Sequence, residues 1–373
     1  MDARDIHFME HALALAVKGI GLASPNPTVG CVIVRDGEVV GEGFHQYDWR
    51  DHAEIMALKS AGDKARGATL YVSLEPCHHT GRTGPCTEAI IAAGIRRVVA
   101  AMKDPNPATG GRGFERLRAA GMEVQSGLLE HHARRLNESF TSWIRTKKPF
   151  VTLKAGVTLD GQLAIPGPKR KSSGPKEQSW ITSEESRAEV HRMRHAADAL
   201  LTGSGTVLSD DPFLTDRSGL PRRRRLLRVV LDSKLHLPPN SRLVKSADND
   251  LLVFTAAPLN SPKARKLQDL GVEVVRPRTS REGMDLSAVV AELGKRDILS
   301  VLLEAGPTLN GAALRAGIVH KLILFYAPKI AGDDRVPFAH GAKLGATTLE
   351  DVRFKQFGPD FAVEAYLHNV YEK

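Results

Sequence analysis

His52 and Glu54 stand two residues apart, Cys77 follows Pro76, and Cys86, nine positions further on, follows Pro85. One imidazole and two thiols make three ligands for a zinc ion whose fourth position stays open. An open position holds a water whose pKa the metal lowers toward neutrality, so hydroxide becomes available at physiological pH. Glu54 is spaced to shuttle protons to and from that water. A structural zinc site would instead close with a fourth protein ligand and would need no general base. A His-x-Glu triplet or a lone cysteine carries little information, but two Pro-Cys pairs, the first cysteine 25 residues after His52, form a specific set. The chemistry it points to is hydrolysis at a zinc centre.

Those side chains need rigid supports. Ile6, Met9, Leu13 and Val17 recur at helical spacing over residues 5–18, before Gly19 and Gly21. Residues 29–34 and 39–44 read as strands, joined by Arg35-Asp36-Gly37-Glu38 as a hairpin. His52 opens a helix that Gly62 ends. Residues 69–73 are a short strand, 87–93 a helix, 97–101 a strand, 114–120 a helix and 122–126 a strand. This order predicts a three-layer α/β/α sheet. It also places His52 and Cys86 at helix starts, where the macrodipole and unpaired N–H groups favour a thiolate. Cys77 lies in the loop before the second of these helices.

At 373 residues the chain calls for two domains. Its 42% hydrophobic and 25% charged content is ordinary for a globular protein. A net charge of +9 admits a nucleic-acid partner or a phosphorylated substrate. The basic residues are spread out, apart from Lys169-Arg170-Lys171 and residues 222–225. Aromatic residues make up only 5%, too few for base-stacking platforms, so a nucleic-acid role is disfavoured. The third cysteine, Cys31, lies in an apolar run and reads as a buried strand residue. No disulfide framework is implied, which suits a reducing cytoplasm. The first residues lack the apolar core of a signal peptide. No apolar run approaches the ~20 residues of a membrane span.

The general zinc-deaminase pattern has two residues between its cysteines. Here there are eight, His78-His79-Thr80-Gly81-Arg82-Thr83-Gly84-Pro85. With this insert, residues 76–86 resemble the deaminase motif of the bifunctional riboflavin-biosynthesis deaminase/reductase family. Gly84 replaces a proline of the family pattern. Ser24-Pro25-Asn26-Pro27-Thr28-Val29-Gly30, His45 and Asp104-Pro105-Asn106-Pro107 match as well, while Trp49 stands where the family usually has glycine. The resemblance implies a cytidine-deaminase-like domain in which His52, Cys77 and Cys86 hold zinc and Glu54 transfers protons. It also makes Asn26, His45, His79 and Arg82 candidates for the substrate, Arg82 for a phosphate because its planar fork suits that group.

Residues 127–145 look helical, and Thr146-Lys147-Lys148-Pro149 breaks the pattern. The expected domains are therefore 1–146 and 147–373. The second half alternates strands (150–154, 199–202, 228–231, 251–255, 272–275, 300–304 and 321–326) with helices (183–195, 285–295 and 308–316). That order predicts a mostly parallel α/β domain. Residues 165–179, rich in Pro, Gly, Lys and Ser, read as a loop that either closes over substrate or is a plain surface insertion. Glu304-Ala305-Gly306-Pro307-Thr308-Leu309 joins a strand to a helix start, a geometry that can hold phosphate. It is not a Gly-x-Gly-x-x-Gly fingerprint.

Lys154-Ala155-Gly156-Val157-Thr158-Leu159-Asp160-Gly161, Trp180-Ile181-Thr182-Ser183, residues 205–212, residues 229–233 and the Glu304 segment resemble the reductase half of the same family, similar in fold to dihydrofolate reductase. By position, Gly156, Trp180, Thr206, Asp210, Ser233, Gly306, Pro307, Thr308, Leu309, Asn310, Gly311 and Ala312 would face NADPH. Gln178, Arg194, Leu214, Arg217 and Glu304 would face the substrate. Lys154 and Asp210 are proton-donor candidates by chemical type. The resemblance implies zinc-dependent deamination of a phosphoribosylaminopyrimidine, followed by NADPH-dependent reduction of its ribosyl group. The expected partners are those substrates and further copies of the chain in the cytoplasm, with no nucleic acid and no membrane.

Overall fold

The structure, a computed structural model, describes residues 3–164, 180–280, 283–332, 336–342, 345 and 347–372. Two compact units emerge. One holds the residues up to Lys147 together with Pro221–Arg224, and the other holds Lys148–Leu220 and the residues from Arg225 on.

The first unit runs α1 (Ala3–Val17), β1 (Gly30–Arg35), β2 (Glu38–Phe44), α2 (Ala53–Ala61), β3 (Thr69–Val72), α3 (Cys86–Ala92), β4 (Arg97–Ala100), α4 (Arg112–Ala119), β5 (Glu123–Ser126) and α5 (Glu130–Thr146). Its five-stranded sheet has the order β2-β1-β3-β4-β5. β1 pairs antiparallel with β2 and β3, whereas β3, β4 and β5 run parallel. The hairpin register sets Gly30 opposite Phe44 and Cys31 opposite Gly43. Side chains alternate between the two faces of a sheet. Gly30 backs onto α1 and Gly43 onto α2, so the two helices cover opposite faces. This is the expected three-layer arrangement.

Two polar anchors fix its outer elements. Arg97 on β4 donates two hydrogen bonds of 2.9 Å to Asp5 of α1, and the Tyr71 hydroxyl donates a third at 2.7 Å. The Arg97 hydrogen bond holds the Asp5 carboxyl below its usual range. The helix expected over 127–145 is bent. Asn137 leaves helical geometry at φ −115°, ψ 15°. Its side chain accepts from the Thr28 N–H at 2.8 Å and donates to the Thr28 carbonyl at 3.1 Å. Satisfying a buried loop backbone outweighs one regular helical residue here.

The second unit runs β6 (Phe150–Thr158), β7 (Gln162–Ala164), α6 (Glu184–Ala196), β8 (Ala199–Gly203), α7 (Ser204–Asp210), β9 (Leu227–Leu231), α8 (Arg242–Lys245), β10 (Leu251–Phe254), α9 (Pro262–Asp269) and β11 (Glu273–Val275). Two short strands follow, β12 (Thr279–Ser280) and β13 (Gly283–Met284). Then come α10 (Leu286–Lys295), β14 (Ser300–Leu303), α11 (Pro307–Arg315), β15 (Lys321–Ala327), β16 (Val336–Pro337), β17 (Glu350–Phe357) and β18 (Asp360–Tyr366). The nine-stranded sheet has the order β11-β10-β9-β8-β14-β6-β15-β18-β17. β11 through β15 pair parallel. Successive residues serve opposite faces: Ala199 and Leu201 join one core cluster and Leu200 the other. Apolar on both sides, these strands read as continuous hydrophobic runs. The antiparallel hairpin β17–β18 was not expected. The outer strand β17 exposes charged residues such as Glu350, Asp351 and Lys355 and buries none of its eight residues. Val352 and Phe354 are exposed on it as well, so its apolar residues do not mark a buried face.

Candidate functional site

In the first unit, helix starts deliver two of the three predicted ligands. His52 is the N-cap of α2 and Cys86 the first residue of α3. His52 Nδ1 lies 3.2 Å from Cys86 Sγ and 3.5 Å from Cys77 Sγ, and the three ligand atoms all fall within 4.8 Å of one another. Tetrahedral zinc at its ordinary Zn–N and Zn–S lengths sets N and S about 3.5 Å apart. The donor set fits that ion. The Cys86 N–H points at Cys77 Sγ, 3.4 Å away. A hydrogen bond from the Cys86 thiol, followed by one from His52, draws the Cys77 thiol down to about 4. Cys86 is pushed up by the same bond. A thiolate at Cys77 is the form that binds a metal.

Glu54, in the first turn of α2, is 4% exposed. Burial, reinforced by the charge on Cys77, raises its carboxyl to about 7. Above it, His45 Nδ1 donates to the Asp51 carbonyl at 3.0 Å, and its Nε2 accepts from Asn26 Nδ2 at 2.9 Å. That pattern is a neutral tautomer, and burial accordingly lowers its pKa to about 4. The His45 ring stands edge-on to His52 with centroids 5.3 Å apart. The structure therefore brings Asn26, His45, His52 and Glu54 together. Arg82 extends over the Tyr47 ring, 4.2 Å from its centroid. His79 is exposed and packs edge-on against His78.

Glu75 was not anticipated. Its buried carboxylate accepts the N–H groups of Asp104, Gly111, Gly113 and Phe114 at 2.8–3.3 Å. It thus anchors the 104–107 loop and the start of α4 beside Pro76-Cys77. Nothing in a single Glu before Pro-Cys signals such a cradle.

In the second unit the parallel strands end on one edge, the place where open α/β sheets take ligands. Ser233 follows β9, Thr206 and Asp210 lie on α7 after β8, the Glu304 segment follows β14, and Gly156 lies near the end of β6. Gly306 caps α11 with Pro307 as its first residue. The first-turn N–H groups of that helix lack intrahelical acceptors. A Cβ on Gly203 would lie 3.6 Å from Leu309, so the β8 and β14 ends adjoin. Asn310 and Gly311 sit beneath this surface: Asn310 donates to the Phe338 carbonyl, and a Cβ on Gly311 would lie 2.0 Å from the His340 oxygen.

Arg194 donates to both oxygens of Glu304, at 2.7 and 3.0 Å, and to the Thr215 carbonyl at 3.1 Å. Lys154 Nζ lies 3.9 Å from the same carboxylate. Burial alone would raise Glu304, but the charges of Arg194 and Lys154 outweigh it and hold the carboxyl low. Burial lowers the Lys154 amine against the pull of Glu304. Leu214 is buried in the adjoining core. Trp180, Arg187, His191 and Arg217 line a cleft of about 490 Å³. Gln178 and the rest of the predicted 165–179 loop lie outside the described residues.

Residues 149–363 match the RibD C-terminal domain family, and residues 2–102 match the cytidine and deoxycytidylate deaminase zinc-binding region. The riboflavin biosynthesis protein RibD of Escherichia coli (strain K12) is 44% identical over 342 residues, covering 89% of each chain. The Aquifex aeolicus protein of the same name is 43% identical over 88% of each.

This chain belongs to the RibD family.

Solved RibD-family structures agree over the full length. Acinetobacter baumannii RibD superposes with a TM-score of 0.83 at 33% identity, covering 97% of this chain and 98% of that one. The diaminohydroxyphosphoribosylaminopyrimidine deaminase/5-amino-6-(5-phosphoribosylamino)uracil reductase of Thermotoga maritima gives 0.79 at 37% identity with the same coverage. The zinc-type donor set and the strand-end edge of the second unit thus fall in the two parts that RibD proteins combine.

Proposed function

We propose that this RibD-family chain performs two steps of riboflavin biosynthesis. Its residues 1–146 hydrolytically deaminate 2,5-diamino-6-(5-phosphoribosylamino)pyrimidin-4(3H)-one. Its residues 147–373 use NADPH to reduce the ribosyl side chain of 5-amino-6-(5-phosphoribosylamino)uracil to ribityl. The observation that carries the reading is buried Glu54 beside three ligand atoms at zinc spacing.

His52, Cys77 and Cys86 would hold zinc, which when bound would supply a water acidified to near neutrality. Glu54 takes up a proton at its carboxylate and returns it to the amino nitrogen that leaves as ammonia. Burial that raises its pKa to about 7 suits a group that must both accept and donate near neutral pH. With Asn26 Nδ2 committed to His45, Asn26 Oδ1 remains as an acceptor for the pyrimidine edge. Arg82 and His79, at the mouth, serve the phosphoribosyl part.

In the second unit, the α11 start and the neighbouring strand ends would hold NADPH, because helix N-termini favour phosphate. NADPH supplies the hydride. Lys154, largely enclosed beside Glu304, holds a proton for the sugar oxygen, and Arg217 faces the ribose phosphate while Arg194 stays paired with Glu304. We assign the chain to the cytoplasm as a homo-oligomer without a nucleic-acid partner. Two of its three cysteines belong to the zinc-type donor set and none is disulfide-bonded, which suits a reducing compartment. Among the described residues no helix is long and apolar enough to cross a membrane.

The test is an assay that follows ammonia release and NADPH oxidation separately. In Glu54→Gln, ammonia release should fall about 10²–10⁴-fold, with zinc retained and NADPH oxidation on the deaminated substrate unchanged. Undiminished ammonia release would remove Glu54 from the mechanism. No ammonia release by the unaltered protein would remove the deaminase reading itself.

A further inference from the structure

The carboxylate of Glu75 is engaged at both oxygens. Oε1 accepts the N–H groups of Gly111 and Gly113 at 2.9 Å and of Phe114 at 3.3 Å. Oε2 accepts those of Gly111 at 2.8 Å and Asp104 at 3.0 Å. Gly113 and Phe114 are the second and third residues of α4, whose N–H groups a capping side chain ordinarily takes. The N-cap of α4 is Gly111, at φ 94°, and it has no side chain to offer. Glu75 caps the helix in its place, from 36 residues away. A negative charge is favoured at that end of a helix. An amide could not replace it, because its NH2 group would face one set of these N–H donors. Buried donors left without an acceptor are costly.

The same short stretch carries a metal ligand. A Cβ on Gly113 would lie 2.1 Å from the Pro76 carbonyl oxygen, so α4 presses on the residue between Glu75 and Cys77. Pro76 itself has a fixed φ. On the other side, the Cys77 carbonyl accepts the Thr87 N–H at 3.1 Å, and Cys77 Sγ lies 3.4 Å from the Cys86 N–H. Cys77 is thus held between α3 and, through Glu75, α4. We propose that Glu75 is a positioning residue of the deaminase centre. By capping α4 it fixes Pro76-Cys77, and so sets how firmly His52, Cys77 and Cys86 keep zinc. Residues behind a metal ligand act in this way when they orient it. This rests on the deaminase reading above.

The experiment uses the full-length, zinc-loaded protein and compares Glu75→Gln with Asp5→Asn. The second substitution weakens the Arg97 anchor of α1, on the sheet face opposite α2, and controls for simple loss of stability. Each protein is measured equally far below its own melting temperature. Zinc transfer to a chromophoric chelator should run ~10–100-fold faster in Glu75→Gln and stay within about 3-fold of the unaltered rate in Asp5→Asn. With zinc in excess, kcat for ammonia release should fall about 10-fold in Glu75→Gln, while KM moves less than about 3-fold. In the cobalt(II)-substituted protein, the thiolate-to-metal and ligand-field bands should shift in Glu75→Gln alone. Glu75→Asp, which keeps the charge, should release zinc more slowly than Glu75→Gln but faster than the unaltered protein. Unchanged zinc release in Glu75→Gln would overturn the proposal, as would an equal acceleration in Asp5→Asn. Should Glu75→Gln not fold, unchanged release in Glu75→Asp would overturn it. An unaltered protein that keeps zinc but releases no ammonia would instead overturn the underlying deaminase reading.

Discussion

Burial decides what an ordinary side chain does at the residue scale. Glu54 and His45 have unremarkable solution chemistry, yet one is raised to about 7 and the other lowered to about 4 by removal from water. The same effect reaches stability at His320, which stacks on Phe150 with centroids 4.9 Å apart and accepts the Val151 N–H at Nδ1. Burial, then the charges of His368 and Lys148, lower its pKa to about 4. The unfolded chain takes up this proton near pH 6.5. Between those values the unfolded state binds more protons, so the stability present above pH ~6.5 is lost as pH falls toward 4. The full shift is worth up to about 3 kcal/mol, less where solvent reaches the ring. His320→Asn keeps an acceptor for Val151 without the titration. Its melting temperature should therefore fall less than that of the unaltered protein between pH 6.5 and 4.5. Parallel melting profiles would refute this assignment.

Elements matter through how closely they approach. α2 lies directly on β2 because Gly41 and Gly43 present no side chain. A Cβ at Gly43 would come within 2.3 Å of the Ala53 carbonyl and 2.6 Å of Met56 Cβ. Gly43→Ala must therefore push away the helix that carries Glu54 and begins at His52. Overpacking of this kind costs about 1–3 kcal/mol or more, and a misplacement near 1 Å costs catalysis about 10²-fold. The expected result is a lower melting temperature with ammonia release reduced at least ~10-fold. Unchanged activity would show that the helix accommodates the methyl group. Most helices and strands of the first unit were legible in the sequence to within a few residues, whereas the second-unit helix α9 was not. The bend at Asn137 and the hairpin β17–β18 were not, because one answers a distant loop and the other ends in an outer strand that buries none of its residues.

For the whole molecule, two chemistries occupy two units, each with its own sheet. Stripping zinc with a chelator should abolish ammonia release. NADPH oxidation on pre-deaminated substrate should stay within about 2-fold. A parallel loss of both activities would contradict independent sites. By itself the sequence determined the ligand inventory, the order of the first unit's helices and strands and the family, because residue type and local spacing suffice for these. It also placed the candidate cofactor segments at strand ends, since strand–helix alternation dictates where the turns fall. Tertiary structure alone decided that His52 Nδ1 faces both thiols, that Glu54 is buried, and that Arg194 rather than solvent neutralises Glu304. It alone revealed Glu75 beneath the cysteine loop and Arg223 over Tyr47. Each of these depends on a distance between residues far apart in the chain, and such distances are set only when the apolar faces pack.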